Sequence, residues 1–368
     1  RIGYRLDGKN KIKAFYGKTV KEIKEKVKAW EKSKDYGLDL QADKMTYSEW
    51  GTRWFETYKK HSIELTTYAG YESVYNNHIY PEIGQMKLKD IKRPALQGIL
   101  NHAYKKGLAN GTIKNIKRVL VSSFRQAKLD GLIIVNPAEG LKVPKSDLAD
   151  EEKDVAPFTK EELNLLLATA KNDDFQKSAP YMHNIIYLLL YTGVRIGELL
   201  GLEWSHIDFN RQMVYIRQNK KKLYTGVNDM IGKLKTKSAR RDIPIDNTVV
   251  MILKHQKSLC NQNKLIMGEA YYQDKSFVFA DISGMPLKHH TVKYYWAKLL
   301  KTVSIEHRGI HQLRHTFASI AIQKGVNIKQ LSSTLGHSKV NITYDVYGHL
   351  YPEDTSKVTN AISEFMSS

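Results

Sequence analysis

Five side chains in this sequence have the chemistry to act on one phosphate: Arg195, His311, Arg314, His337 and Tyr347. Each guanidinium is permanently charged and presents a fork that fits two phosphate oxygens. Two such forks can neutralise charge growing on non-bridging oxygens in a transition state. Arg195 follows the turn Thr192-Gly193, so it is expected at the start of a helix. Glu198 lies three residues on, on the same helical face, and can orient that arginine or form a plain surface ion pair with it. His311 and Arg314 are also three apart, so that the histidine can hydrogen-bond the same phosphate or handle a proton. His311 and His315 are four apart, the spacing of zinc-protease helices, but Gln312 stands where such a site needs glutamate. No metal is expected. A tyrosine phenol has an ordinary pKa near 10 and needs help to attack at neutral pH; Tyr347 and Tyr344 both lie close after His337.

The elements that must hold these residues are spread over 368 residues, enough for two or three domains. A net charge of +20 marks a chain that attracts a polyanion, nucleic acid above all. One cysteine, Cys260, excludes an internal disulfide and a Cys-based zinc site, and fits a reducing cytoplasm. The longest apolar run, near residues 185–191, is far too short to span a bilayer. The chain opens at Arg1 rather than Met, which leaves open whether its first domain is complete at the N-terminus.

Residues 1–17 alternate around Asp7-Gly8-Lys9-Asn10, a hairpin signal. Val20, Ile23, Val27 and Trp30 then recur at helical spacing behind a Thr19/Glu22 capping box. Residues 36–44 read as a linker. A helical block runs from Thr46 to about Val135, with Trp50, Trp54 and Tyr58 on one face. Its last helix carries Lys114, Lys117, Arg118, Arg125 and Lys128, a solvated face or one that tracks phosphates. Residues 143–159 are charged, hold two prolines and lack periodicity, which marks a boundary. Beyond it come a Thr159/Glu162 capping box, a buried helix over 180–191, a strand over 207–217, a basic hairpin over 233–245 and a short strand over 276–280. Gly336 reads as a helix C-cap and Ser338 as the next N-cap.

HQLRHTF (311–317), LGHSKVNITYDVYGHL (335–350) and YTGVRIGELLGLEW (191–204) together resemble the active-site motifs of the tyrosine recombinases, the integrases of phages and conjugative transposons. The resemblance extends to the helical block with its turn Asn136-Pro137-Ala138, and to FYGKT with the basic hairpin before it. It implies a mainly α fold with small β elements (α+β) in several parts. These are an arm-type DNA-binding domain over 1–40, a helical core-site DNA-binding domain over 45–145, a linker over 146–157, a mixed catalytic domain over 158–350 and a tail over 351–368. It implies catalytic roles for Arg195, Lys235, His311, Arg314, His337 and Tyr347. His337-to-Tyr347 spacing and the YGHL ending favour Tyr347 over Tyr344, and Lys235 matches the family's leaving-group acid. Lys237, Arg240 and Arg241 would join the α-helical lysines and arginines in binding DNA.

The implied reaction is site-specific strand exchange through a 3′-phosphotyrosine, with no cofactor, serving integration and excision. Implied partners are double-stranded DNA at core and arm sites, three further copies in a tetramer, and an excisionase or host DNA-bending protein, all at the bacterial nucleoid. In the tail, Val358, Ala361, Ile362 and Phe365 fall at helical spacing, a face to dock on its own domain or a neighbouring subunit. Two other classes share features with this reading: a non-catalytic DNA-binding regulator, and a type IB topoisomerase.

Overall fold

The helical periodicity of the N-terminal half produces a unit whose tryptophans and aliphatic residues close on one another. In the computed structural model, residues 2–6, 9–13, 15–17, 19–35, 44–144, 157–221, 230–234, 236–350, 363, 365 and 366 are described. They divide into two compact units, separated in the sequence between 144 and 157.

The first unit opens with the expected hairpin, β1 (Ile2–Leu6) and β2 (Lys9–Lys13), paired antiparallel with Leu6 opposite Lys9. α1 (Val20–Asp35) follows, and Thr19 Oγ1 accepts from the Glu22 backbone N–H. α2 (Tyr47–Trp54), α3 (Leu65–Val74), α4 (Tyr80–Ile83), α5 (Arg93–Lys105) and α6 (Asn110–Leu129) form the helical block. α2 starts at a complete Thr46/Glu49 capping box, which satisfies two backbone donors reciprocally. Trp50 and Trp54 are buried against Ile79, Leu96, Ile116 and Phe124. Burying aromatic polar atoms requires partners; Ser123 supplies one by accepting from both Tyr47 Oη and Trp50 Nε1.

The second unit is built around α9 (Met182–Thr192), preceded by α7 (Lys160–Lys171) and α8 (Asp173–Ser178). The Thr159/Glu162 capping box forms as expected. After α10 (Ile196–Leu200) the chain enters small sheets: β3 (Ile207–Asp208), β4 (Met213–Ile216), β5 (Gln218–Lys221), β6 (Met230–Lys233) and β7 (Arg241–Pro244). α11 (Asn247–Met267), α12 (His289–Thr302), α13 (Gln312–Gln323), α14 (Ile328–Leu335) and α15 (Val340–Tyr347) complete it. Among the described residues no helix is long and apolar enough to cross a membrane.

Four local expectations are corrected. Residues 207–217 are a hairpin rather than one strand: Asp208 Oδ1 accepts from the backbone of Asn210 and Arg211, and Gln212 adopts φ 53°, which turns the chain. Residues 233–245 are not a hairpin, because β6 pairs with β5 while β7 pairs with β4. Alternation in β7 sends Arg241 and Ile243 inward, which ties that strand to the core instead of to β6. Residues 277–280 are buried in succession rather than alternately, and form isolated bridges only. Ser338 does not cap α15; Lys339 holds that position without a side-chain bond. Both linkers, apart from their end residues Lys44 and Pro157, lie outside the described residues, as do Lys235 and the tail positions Val358, Ala361 and Ile362.

Candidate active site

Helix ends create this site. α9 ends on Gly193 in the left-handed region, φ 60°, and Arg195 then becomes the N-cap of α10. Glu198 is fully buried and receives the Arg195 backbone N–H at 2.9 Å and its Nη1 at 3.0 Å. The same carboxylate takes Arg241 Nη2 at 2.8 Å and Nη1 at 3.2 Å. Arg241, expected on DNA, is instead buried in this ion triad, with Nε donated to Thr334 O. Its Nε, Nη1 and Nη2 all donate to protein oxygens, which commits the side chain to holding Glu198. Burial pushes the Glu198 carboxyl up, but hydrogen bonds and charge from Arg241, then Arg195, outweigh it and hold the group below its ordinary range. Close backbone approach seats the triad: a Cβ at Gly336 (φ 69°) would stand 2.9 Å from Arg241 Nη1.

Arg314, buried on α13, is fixed by three acceptors on two other elements. Its Nη1 donates to Gly193 O at 2.7 Å, and its Nη2 to Leu335 O at 2.7 Å and to His337 Nε2 at 3.0 Å. His337 must therefore carry its proton on Nδ1, which donates to the buried Thr343 Oγ1 at 2.8 Å. Burial first, then Arg314 and Arg195, push His337 down to about 4, so it is neutral at pH 7. His311, the N-cap residue of α13, is exposed as a residue, but its ring packs edge-on against His315 and lies within the field of Arg314 and Arg195. Burial, Arg314, His315 and Arg195 push it down to about 4 as well. Arg314 itself is lowered to about 9 by burial and by Arg195, and stays charged at neutral pH.

Tyr347, the last residue of α15, is 5% exposed, whereas Tyr344 is 63% exposed. Its Oη lies 2.7 Å from His315 Nδ1. Burial raises the phenol above its ordinary value, and Arg314 partly offsets this. Arg195, Glu198, His311, Arg314, His337 and Tyr347 are thus linked through direct contacts or shared neighbours. Arg241, His315 and Thr343 belong to the same constellation, although the sequence reading gave them no part in it. Arg240 and Lys114, Arg118, Arg125 and Lys128 are exposed, and Lys117 is half-buried. Lys237 falls in the tight turn Lys237–Ala239.

Gly193 predicts a stability effect. A Cβ there would meet Phe317 Cδ1 at 2.5 Å, on a backbone that disfavours L side chains. Gly193→Ala is expected to destabilise the second unit by about 1–3 kcal/mol in chemical denaturation, and to loosen Arg314 through the displaced carbonyl. An unchanged denaturation midpoint would show that the turn relaxes freely.

The candidate site thus brings an arginine pair, neutral histidines and a sequestered phenol together at helix ends. Residues 157–354 match the family model of the phage integrase family, and residues 46–104 that of the phage integrase N-terminal SAM-like domain. The chain belongs to the phage integrase family, the tyrosine recombinases, which cut and rejoin DNA. It is similar to a tyrosine recombinase XerC-like protein of Caldanaerobacter subterraneus subsp. tengcongensis, 28% identical over 99% of this chain and 94% of that one. It is also similar to the transposase from transposon Tn916 of Enterococcus faecalis, 26% identical over 89% of this chain and 80% of that one. In fold it matches the Tn1549 transposon integrase solved with transposon right end DNA, at TM-score 0.70 and 23% identity, over 88% of this chain and 100% of that chain. A lambda integrase tetramer solved on a Holliday junction matches at TM-score 0.61 and 20% identity, over 94% and 91% of the two chains.

Proposed function

We propose that this recombinase integrates and excises a phage or mobile element, with Tyr347 as its nucleophile. The observation that carries the reading is the burial of Tyr347 beside a guanidinium anchored by three acceptors. Tyr347 Oη attacks the phosphorus, the P–O5′ bond breaks, and a 3′-phosphotyrosine and a 5′-hydroxyl result. Arg195 and Arg314 balance the charge on the non-bridging oxygens, with His311 and His337 as neutral hydrogen-bonding partners around them. Lys235 protonates the departing O5′. A 5′-hydroxyl of a second duplex then reverses the step, so the bond energy is conserved in the covalent link. Exchange between two duplexes calls for four subunits, as in the lambda integrase tetramer on a Holliday junction. The reaction would take place in the bacterial cytoplasm at the nucleoid, assisted by an excisionase or a DNA-bending host protein.

The domain assignment follows the same reading. Residues 1–40 would bind arm-type DNA, 45–145 the core site, and 158–350 would cleave, with the tail after 350 docking on a neighbouring subunit. Incubating the enzyme with nicked DNA, trapping covalent complexes and sequencing the transferred junctions tests it. Joined products at defined sites support the reading; sequence-specific binding without any covalent complex would make the chain a DNA-binding regulator.

Charge on α6 supports the core-site assignment. At about 100° per residue, Lys114, Lys117, Arg118, Arg125 and Lys128 fall within one arc that flanks the stripe of buried Ile113, Ile116, Leu120 and Phe124, with the half-buried Lys117 at its edge. Replacing Lys114, Arg118 and Arg125 by alanine is expected to flatten the log-affinity against log-salt slope by about 3 and to weaken binding to all DNA sequences. A slope equal to that of the unmodified protein would remove α6 from the interface.

A further inference from the structure

The side chain that holds the nucleophile is His315, one residue beyond the arginine fork on α13. Its Nδ1 lies 2.7 Å from Tyr347 Oη, and the two rings are 5.7 Å apart, tilted by 51°. On its other side His311 packs edge-on, 5.2 Å away at 85°. One helix thus carries Arg314 and His315 side by side, with His315 set against the phenol.

We propose that His315 is the proton acceptor for Tyr347; this rests on Tyr347 being the nucleophile, as assigned above. As Oη bonds to phosphorus, its proton passes to His315 Nδ1 and the P–O5′ bond breaks, its electron pair leaving on O5′, which the leaving-group acid protonates. In the reverse step the attacking 5′-hydroxyl gives its proton to that acid in its neutral form, the P–Oη bond breaks, and the His315 imidazolium returns its proton to the phenolate. Atoms and charge balance in both directions.

The surroundings make this transfer depend on substrate. The titratable and charged groups around the pair are Arg314 and His311 on α13, Arg195 at the start of α10, His337 before α15, and Glu198 behind the two arginines. Burial, then Arg314, lowers His315 below its ordinary value, so the DNA-free enzyme keeps the proton on the phenol. A phosphodiester seated between the arginines brings negative charge beside Arg314. This reduces the penalty on an imidazolium at His315. The nucleophile is therefore activated when the phosphate is in place, and an unloaded subunit keeps it protonated.

The test is single-turnover adduct formation on nicked DNA from about pH 4.5 to 9, comparing the unmodified enzyme with His315→Asn, His315→Gln and Tyr347→Phe. Asparagine sets an amide oxygen near the place of Nδ1, accepting a hydrogen bond but no proton. The expected result is slowing by about 10²-fold or more for His315→Asn, at unchanged DNA affinity, with loss of the acid limb that His315 contributes. His311 and His337, both pushed to about 4, would leave their limbs at lower pH. If His315→Asn unfolds, His315→Gln is read by the same criteria. Either folded variant forming adduct at the unmodified rate, with the acid limb intact, overturns the proposal. An unmodified enzyme with no adduct at Tyr347 overturns the nucleophile assignment, and this proposal with it.

Discussion

Arg314→Ala is expected to lower strand cleavage by about 10³-fold or more while leaving DNA binding nearly intact. Removing one preorganised donor from a developing oxyanion costs about 10²–10³ in rate, and an arginine on a transferring phosphoryl group is worth about 10³–10⁵. Arg314 is charged, buried and held by Gly193 O, Leu335 O and His337 Nε2, so in the proposed role it would combine both effects. Its loss also strips donors from two carbonyls, at about 1–3 kcal/mol for each one left buried and unpaired. Arg314→Lys keeps the charge but cannot reach all three acceptors with one ammonium, so it should rescue little. Binding should survive because the +20 charge of the chain is spread well beyond this site. Single-turnover cleavage and filter binding at fixed salt read the two effects separately. A cleavage loss below tenfold would mean that Arg314 only braces the turn at Gly193.

Glu198→Ala is expected to cost about 3–5 kcal/mol of stability, the usual penalty for stranding a buried charge. Arg241 is the stranded group: its side chain is 7% exposed and Glu198 is its only carboxylate partner among the described residues. Arg195 adds little to that energy, since it is 37% exposed, but it loses the carboxylate that aims it. The pH dependence has a definite sign. Glu198 is held below its ordinary value of 4.5 in the fold, so its contribution is complete above about pH 4.5 and fades as the pH falls through the lower folded value. Denaturation of Glu198→Ala should accordingly show a smaller acid-induced loss of stability than the unmodified protein. The double replacement Glu198→Leu with Arg241→Met should recover much of the stability, because nothing charged is then left buried. Failure of the double variant to recover any would assign the energy to packing rather than to charge.

Much of this architecture was legible in the residues. Trp50, Trp54 and the apolar positions of α6 recur at helical spacing, so the buried face of the first unit could be read directly. Arg195 with Glu198, and His311 with Arg314, declared themselves through short-range spacing at helix starts. The family's motif order then joined segments that no local rule connects. What escaped was long-range. Arg240 and Arg241 are neighbours of one type, and only the alternation of β7 sends the second inward to Glu198, 43 residues away in sequence. Spacing pairs His315 only with His311, because its partner Tyr347 is 32 residues distant and comes near only through the packing of α13 against the end of α15. The sheets were misread for a related reason. Pairing of β6 with β5 and β7 with β4 depends on which faces are buried, not on the basic run between them.

The central claim to test is that Tyr347 is the residue that joins DNA. Its direct test is to trap the covalent complex on nicked DNA, digest it with protease and nuclease, and identify by mass spectrometry the peptide that retains a nucleotide. The nucleotide is expected on Tyr347, absent in Tyr347→Phe and still present in Tyr344→Phe. A nucleotide found on Tyr344, or a Tyr347→Phe enzyme that still forms the adduct, would contradict it.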